Sequence, residues 1–290
     1  MAAISELTVL KELKVSGCKL QSLPEGMFRR HRRLEYLDLS DNRLAEVPSV
    51  LKEAVNLVYL NFDKNPIGNL NETTAISELT KLRELRLCHL NKLEHIGAGI
   101  LGGLHSLVTL YVCYNPRLTV IDPGFLVSAD DHNVERYPNI KQLYLNNNNI
   151  SEINSNFLDQ WDQLTNMDFG NNNYICDCNC QWMVNVLVPL MNRSGISADS
   201  MICKKPRDLR GMSFAKLHEL SKTLECRVSE KLVEGPGPDV AMILGIMIGI
   251  LATFPLVFVT VLLWRRGFFA RCRGQRLPNK YYDEEENDAF

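Results

Sequence analysis

Residues 140–150 read I-K-Q-L-Y-L-N-N-N-N-I, with apolar positions at Ile140, Leu143, Leu145 and Ile150 and one fixed polar position at Asn148. A strand sends alternate residues to opposite faces, so Leu143 and Leu145 point inward. The turn that follows needs an asparagine to bond backbone groups that no neighbouring strand reaches. The same spacing restarts at Leu10, Leu34, Leu57, Leu82, Leu107 and Leu164; with Ile140 included, the steps are 24, 23, 25, 25, 33 and 24 residues. The asparagine place is held by Cys18, Asn42, Asn65, Asn115, Asn148 and Asn172, and in the fourth unit Asn91 falls one place late. One such unit cannot bury its own apolar face, so the pattern predicts a stack of copies.

On this pattern the chain resembles the leucine-rich repeat superfamily over residues 3–175. The resemblance implies an α/β solenoid of about seven repeats whose curved parallel sheet lines a concave, partner-binding face over residues 1–175. The variable positions beside the inward leucines are then the expected contact residues. They are Tyr36, Asp38, Tyr59, Asn61, Arg86, Tyr111, Tyr114, Gln142, Tyr144, Asn166 and Asp168. Tyrosine offers a large rigid contact area with a polar tip, although aromatics also simply favour pleated surfaces. The 33-residue step comes from a polar insert at 127–138, which is either a partner contact or a tolerated loop.

The letters A-I-S-E-L-T occur at residues 3–8 and again at 75–80, 72 residues later, so residues 3–9 read as the outer half of a repeat whose strand lies upstream. Met1 opens no apolar run of the kind a secretory leader needs. The expectation is an N-terminally incomplete chain whose upstream part covers the apolar layer around Leu10, Leu13 and Val15; a short isoform is the alternative.

Of nine cysteines, five cluster at 176, 178, 180, 203 and 226, which suggests an oxidising, secretory context. The run N-Y-I-C-D-C-N-C-Q-W-M and the later I-C-K-K-P-R and L-E-C are similar to the cysteine-rich C-terminal cap of extracellular leucine-rich repeat proteins such as Slit and Toll. The resemblance implies a cap over residues 176–227, disulfides from Cys176 to Cys203 and from Cys178 to Cys226, and a short helix carrying Trp182, Val186 and Leu187 over the last leucine layer. Cys180 departs from that pattern and is a core thiol or a rival partner. Cys88 and Cys113 hold the same place in adjacent repeats, where in-register strands about 4.8 Å apart allow either a bridge or two buried thiols. Cys18 is expected to serve as a small buried hydrophobe. Two cysteines beside His89, and a C-D-C-N-C without a second pair, fall short of a zinc site, so no metal or cofactor is expected.

Beyond a Gly-Pro stalk at 228–239, residues 240–264 carry no charge for 25 positions, enough for a membrane-spanning helix. Asp239 precedes the run, and Arg265, Arg266, Arg271, Arg273 and Arg276 follow it. This predicts a plasma-membrane protein with the repeats outside and residues 265–290 in the cytoplasm. The sequons at Asn71, Asn149 and Asn192 agree as N-glycan acceptors. Gly245 and Gly249 form a G-x-x-x-G that suits homodimer packing, though glycine is common in membrane helices. The basic start of the tail suits anionic membrane lipid, Cys272 suits palmitoylation, and the end at Phe290 suits a PDZ groove, the plain alternative being a solvated tail.

With 46% hydrophobic and 23% charged residues and a net charge of −2, the chain has no global basic excess that argues for nucleic acid, and nothing in it looks like a polyanion binder. No nucleophile, acid-base set or phosphate loop has the spacing that chemistry requires, so no enzyme is expected. The sequence reads as a single-pass cell-surface receptor or co-receptor for an extracellular protein or glycan. The alternatives are an adhesive or matrix-organising membrane protein and an intracellular repeat scaffold.

Overall fold

The computed structural model describes residues 9–70, 75–129, 134–226, 248, 255 and 257–266. The chain divides into two compact units, Met1–Arg227 and Val228–Phe290.

The first unit is a solenoid. Its seven-stranded parallel sheet runs in chain order: β1 Glu12–Lys14, β2 Tyr36–Asp38, β3 Tyr59–Asn61, β4 Glu84–Arg86, β5 Thr109–Tyr111, β6 Gln142–Tyr144 and β7 Asn166–Asp168. Leu13, Leu37, Leu60, Leu85, Leu110, Leu143 and Met167 align across it as Cα partners, and all seven are buried. The insert between β5 and β6 does not disturb this register, because Gln142 still pairs with Thr109. Part of it forms its own antiparallel pair, Ser128–Ala129 with Glu135–Arg136, beside the sheet.

Each strand ends in the same turn. Asp41, Lys64, His89, Tyr114, Asn147 and Asn171 all adopt positive φ, and Gly17 does so on the first rung. A left-handed residue costs an L side chain about 1 kcal/mol, yet it swings the next residue into the interior. That next residue is the asparagine of the motif. Asn148 Nδ2 donates to Val112 O (2.7 Å) on the preceding rung and to its own Leu145 O (2.8 Å), while its Oδ1 accepts the Asn115 amide (2.9 Å). Asn42 reaches Val15 O, Asn65 reaches Leu39 O, Asn115 reaches Leu87 O and Asn172 reaches Leu145 O in the same way. Among the described rungs that follow another, the fourth lacks this link, since Leu90 stands at its asparagine place.

Cys18 corrects one expectation. Its thiol is exposed and unbridged and lies 3.6 Å from Ser16 O. Leu10 and Val15 beside it are only half-buried.

On the outer side, two-residue strands Asn69–Leu70, His95–Ile96 and Val120–Ile121 pair in parallel, and 3-10 turns stand at Ser49–Glu53, Ser155–Phe157 and Trp161–Gln163. Gly102 and Gly103 allow the rungs to close there. A Cβ on Gly102 would meet Val127 O at 2.2 Å, and one on Gly103 would meet Ser77 O at 1.8 Å.

The cap closes the far end. Disulfides join Cys176 to Cys203 and Cys178 to Cys226, with Cα separations of 5.6 and 4.5 Å. The chain passes through a π-helical turn, Met183–Leu187, into α1, Val188–Arg193, and then α2, Phe214–Glu219, whose N-cap Ser213 accepts the Lys216 amide. The π turn shifts the phase of the apolar face. Val186, expected to cover the last layer, is therefore exposed; Leu187 is buried as expected, and Met183 and Val184 are buried with it. Trp182 does cover the layer: its indole donates to Ile153 O (2.9 Å) and packs on Trp161 at 4.9 Å between ring centres. Beneath it Tyr174 is fully buried and donates to Phe169 O.

Cys180 is a buried thiol that donates to Ile175 O (3.1 Å), and burial pushes its pKa up to about 12. The thiolate is the reactive form. Brief alkylation of the native protein at pH 8, followed by peptide mapping, is expected to modify Cys18 and spare Cys180. Equal labelling of both would show that the cap core is open.

In the second unit, residues 257–265 are helical, and Val257, Phe258, Val259, Val261, Leu262 and Trp264 are all exposed. No helix among the described residues is long and apolar enough to cross a membrane. Most of the expected span at 240–264, with Gly245 and Gly249, lies outside the described residues, as do Cys272 and Phe290.

Candidate functional site on the concave face

In-register parallel strands set neighbouring side chains about 4.8 Å apart, which is also the spacing at which flat groups stack. The concave face uses this coincidence. Tyr36 and Tyr59 stack on β2 and β3 with ring centres 4.1 Å apart and planes 1° from parallel. Tyr111 and Tyr144 stack on β5 and β6 at 4.6 Å and 5°. Arg86, on β4, lays its guanidinium 4.4 Å from the centre of the Tyr111 ring, making one continuous row of Arg86, Tyr111 and Tyr144. At the other end Lys14 stands over Tyr36 at 5.1 Å and pairs with Glu12.

Asp63, two residues past β3, fixes this row. One carboxylate oxygen accepts Arg86 Nε at 3.0 Å and the other accepts the Cys88 amide at 2.7 Å. Burial works against the Arg86 charge, but the Asp63 carboxylate more than offsets it and holds the guanidinium above its ordinary pKa. Glu84 lies 3.9 Å from Arg86, and burial raises its carboxyl pKa despite that cation. Two residues beyond Arg86 and Tyr111, a disulfide joins Cys88 to Cys113 with a Cα separation of 4.6 Å. It ties the two rungs together just past β4 and β5, two residues along from the stacked pair.

The expected contact residues divide into two groups. Tyr36, Tyr59, Arg86, Tyr111, Gln142 and Tyr144 stand half-buried on the face, and Asn166 is exposed there. Asp38 and Asp168 each commit a side-chain oxygen to the amide two residues on, at Ser40 and Gly170. Asn61 does the same with Asp63 and is only 8% exposed, so it belongs to the turn and not to the contact surface. Tyr114 also leaves the face. It sits at φ +58° in the turn after β5, on the rim, stacked on His89 at 4.8 Å.

Sequence reasoning missed Asp63 and Glu84, and weighed His89 only as a metal ligand. Asp63 had a signal, since it holds the place in its repeat that Cys88 and Cys113 hold in theirs. Of the sequons, Asn192 is exposed on α1 and Asn149 is half-buried with its amide bonded to Leu118 O; Asn71 lies outside the described residues.

Residues 8–67 match the family model described as leucine rich repeat. Among curated proteins, chicken Toll-like receptor 2 type-2 is 26% identical over 226 residues, covering 76% of this chain. Bovine osteomodulin is 30% identical over 161 residues, covering 54% of this chain. The chain spans only 24% of the first relative and 34% of the second. Among solved structures, human trophoblast glycoprotein aligns with a TM-score of 0.45 at 20% identity, over 76% of this chain and 89% of that one. The matched region carries β1 to β3, the same rung recurs through β7, and the first unit is thus a disulfide-bonded solenoid with the leucine-rich repeat fold.

Proposed function

We propose that this chain is a single-pass cell-surface receptor or co-receptor whose concave face binds an extracellular protein or glycan. The observation that carries the reading is the row of Arg86, Tyr111 and Tyr144, held by Asp63 and followed two residues on by a disulfide between the rungs of Arg86 and Tyr111. Rings already stacked and a guanidinium already pinned lose little freedom on association, which is how binding hot spots gain affinity. Three disulfides suit an oxidising compartment. The helical turns at 257–265 expose apolar side chains on every side, as a segment solvated by lipid does. In this reading residues 240–264 span the membrane, Asn149 and Asn192 accept glycans, Cys272 carries an acyl chain beside anionic lipid, Gly245 and Gly249 pack two copies together, and Phe290 ends a cytoplasmic tail that docks in a PDZ groove.

The test starts with full-length protein on intact cells, where biotinylation and glycosidase treatment read which side the repeats face. The cells are then exposed to an arrayed panel of secreted proteins. Tyr111→Ala with Tyr144→Ala is expected to weaken the bound partner by about 10-fold or more, the range of a hot-spot pair, whereas Lys216→Gln on the cap leaves it unchanged. Binding indifferent to the tyrosines would sink the concave-face reading. Deleting residues 267–290 separates receptor from adhesive protein, because adhesion survives that deletion and signalling does not.

A further inference from the structure

The net charge of −2 conceals a separation. On and beside the concave strands, Glu12, Asp38, Asp63, Glu84 and Asp168 outnumber Lys14 and Arg86. The edge leading into those strands is basic. It opens with R-R-H-R-R at residues 29–33, where His31 is buried and the four arginines are exposed. The buried Phe28, His31 and Leu34 anchor the segment, and the His31 and Leu34 amides close successive turns onto Phe28 O and His31 O at 3.0 Å each. The arginines therefore stand on a rigid platform.

They do not stand alone. Asn56 donates to Arg32 O at 2.8 Å and accepts Lys81 Nζ at 2.6 Å, which aligns Arg32 and Lys81 across three rungs. Two positions past Asn56 and Lys81, Lys11 O accepts the Glu35 amide, Glu35 O the Val58 amide and Val58 O the Arg83 amide, so Lys11 and Arg83 lie on one parallel line, which runs on through Val108 and Lys141. Arg29 is taken by Glu53 at 2.9 Å and Glu35 interrupts the line, but Arg30, Arg32, Arg33, Lys11, Lys81 and Arg83 remain exposed. Four rungs at about 4.8 Å make a track roughly 15 Å long.

We infer that this edge is a binding site for a sulfated polysaccharide. A linear polyanion matches a linear track, and the arginine fork grips sulfate-type oxyanions bidentately, as it does phosphate. The inference rests on the extracellular placement proposed above. Anionic phospholipid is concentrated on the cytoplasmic leaflet, so outside the cell the polyanion left to fill such a track is an acidic glycan. The acidic concave face repels the same chain, leaving that face to its own partner.

The probe is fluorescent heparin, titrated at several NaCl concentrations against full-length protein in a nonionic detergent. Replacing Arg30, Arg32 and Arg33 together by Gln is expected to weaken binding at least 10-fold. The slope of log affinity against log salt should fall by about 2, most of the increment that three lost oxyanion contacts carry on nucleic acid. Tyr111→Ala with Tyr144→Ala should leave both numbers unchanged, and fully desulfated heparin should fail to bind. An unchanged triple variant would overturn the inference, since the basic tail would then account for all retention. Arginine-dependent binding to phosphatidylserine vesicles without binding to heparin would overturn it as well. An unchanged disulfide pattern and melting temperature in the variant show that it has folded. The assay in detergent is independent of membrane orientation, so intact-cell biotinylation can fail while this test succeeds, and the reverse.

Discussion

Asn148→Ala is expected to lower the stability of the solenoid by about 2–4 kcal/mol, because it strands a buried carbonyl at Val112 and a buried amide at Asn115 that the side chain now serves. Leu145 O is spared, since Asn172 also donates to it. For a unit of this size the melting midpoint should drop by roughly 5–15 °C. Repeat arrays need not melt in one step, so the comparison is best made on midpoints from tryptophan fluorescence, with Trp161 and Trp182 at the cap as reporters. The neighbouring Asn147, in the left-handed turn and half exposed, provides the control. Asn147→Gly relieves its backbone and should cost almost nothing. A loss at Asn148 no larger than at Asn147 would mean that water replaces the asparagine bonds and that the ladder contributes little.

Gly103→Ala is expected to be at least as damaging, about 3 kcal/mol or more, for a steric reason. The new methyl would stand 1.8 Å from Ser77 O and 2.8 Å from Ser77 C, both of them backbone atoms of the preceding rung that no rotamer change can move. The rungs would have to part. Gly68 offers the contrast, since its Cβ would meet Lys92 O at 3.8 Å, an ordinary contact, and Gly68→Ala should be nearly neutral. If both variants melt together with the parent, the outer side of the solenoid is looser than its glycines imply.

The register of the sheet was legible in the sequence because one leucine per repeat must face inward and any slip would turn it to water. Leu13 through Met167 align accordingly. The concave face was less legible, because sequence spacing reports the column a residue occupies and not what its side chain does there. Asn61 and Tyr114 have suitable spacing, yet one oxygen of the first closes a turn and the second sits past the strand at positive φ. In the cap, the extra residue of a π turn moved the apolar face from Val186 to Val184, a change that no helical period anticipates. A whole-chain sum of charges also hid the basic edge, since repeats bring residues some 24 positions apart onto one line while the sum treats them as independent.

The fourth rung joins its predecessor differently from every other rung. With Leu90 at the asparagine place, the joint between β3 and β4 has its main-chain pairing and, in place of the asparagine link, Asp63, which grips Arg86 and the Cys88 amide, while the Cys88–Cys113 bridge secures only the next joint along. A solenoid loaded end to end should therefore crack first between these two rungs. The fourth and fifth rungs would stay together through their disulfide, and the front three rungs would swing. The concave aromatic row begins on those two bridged rungs and most of the basic track belongs to the swinging part, so traction on a glycan held at the front would bend the molecule at Asp63 and be felt directly at Arg86.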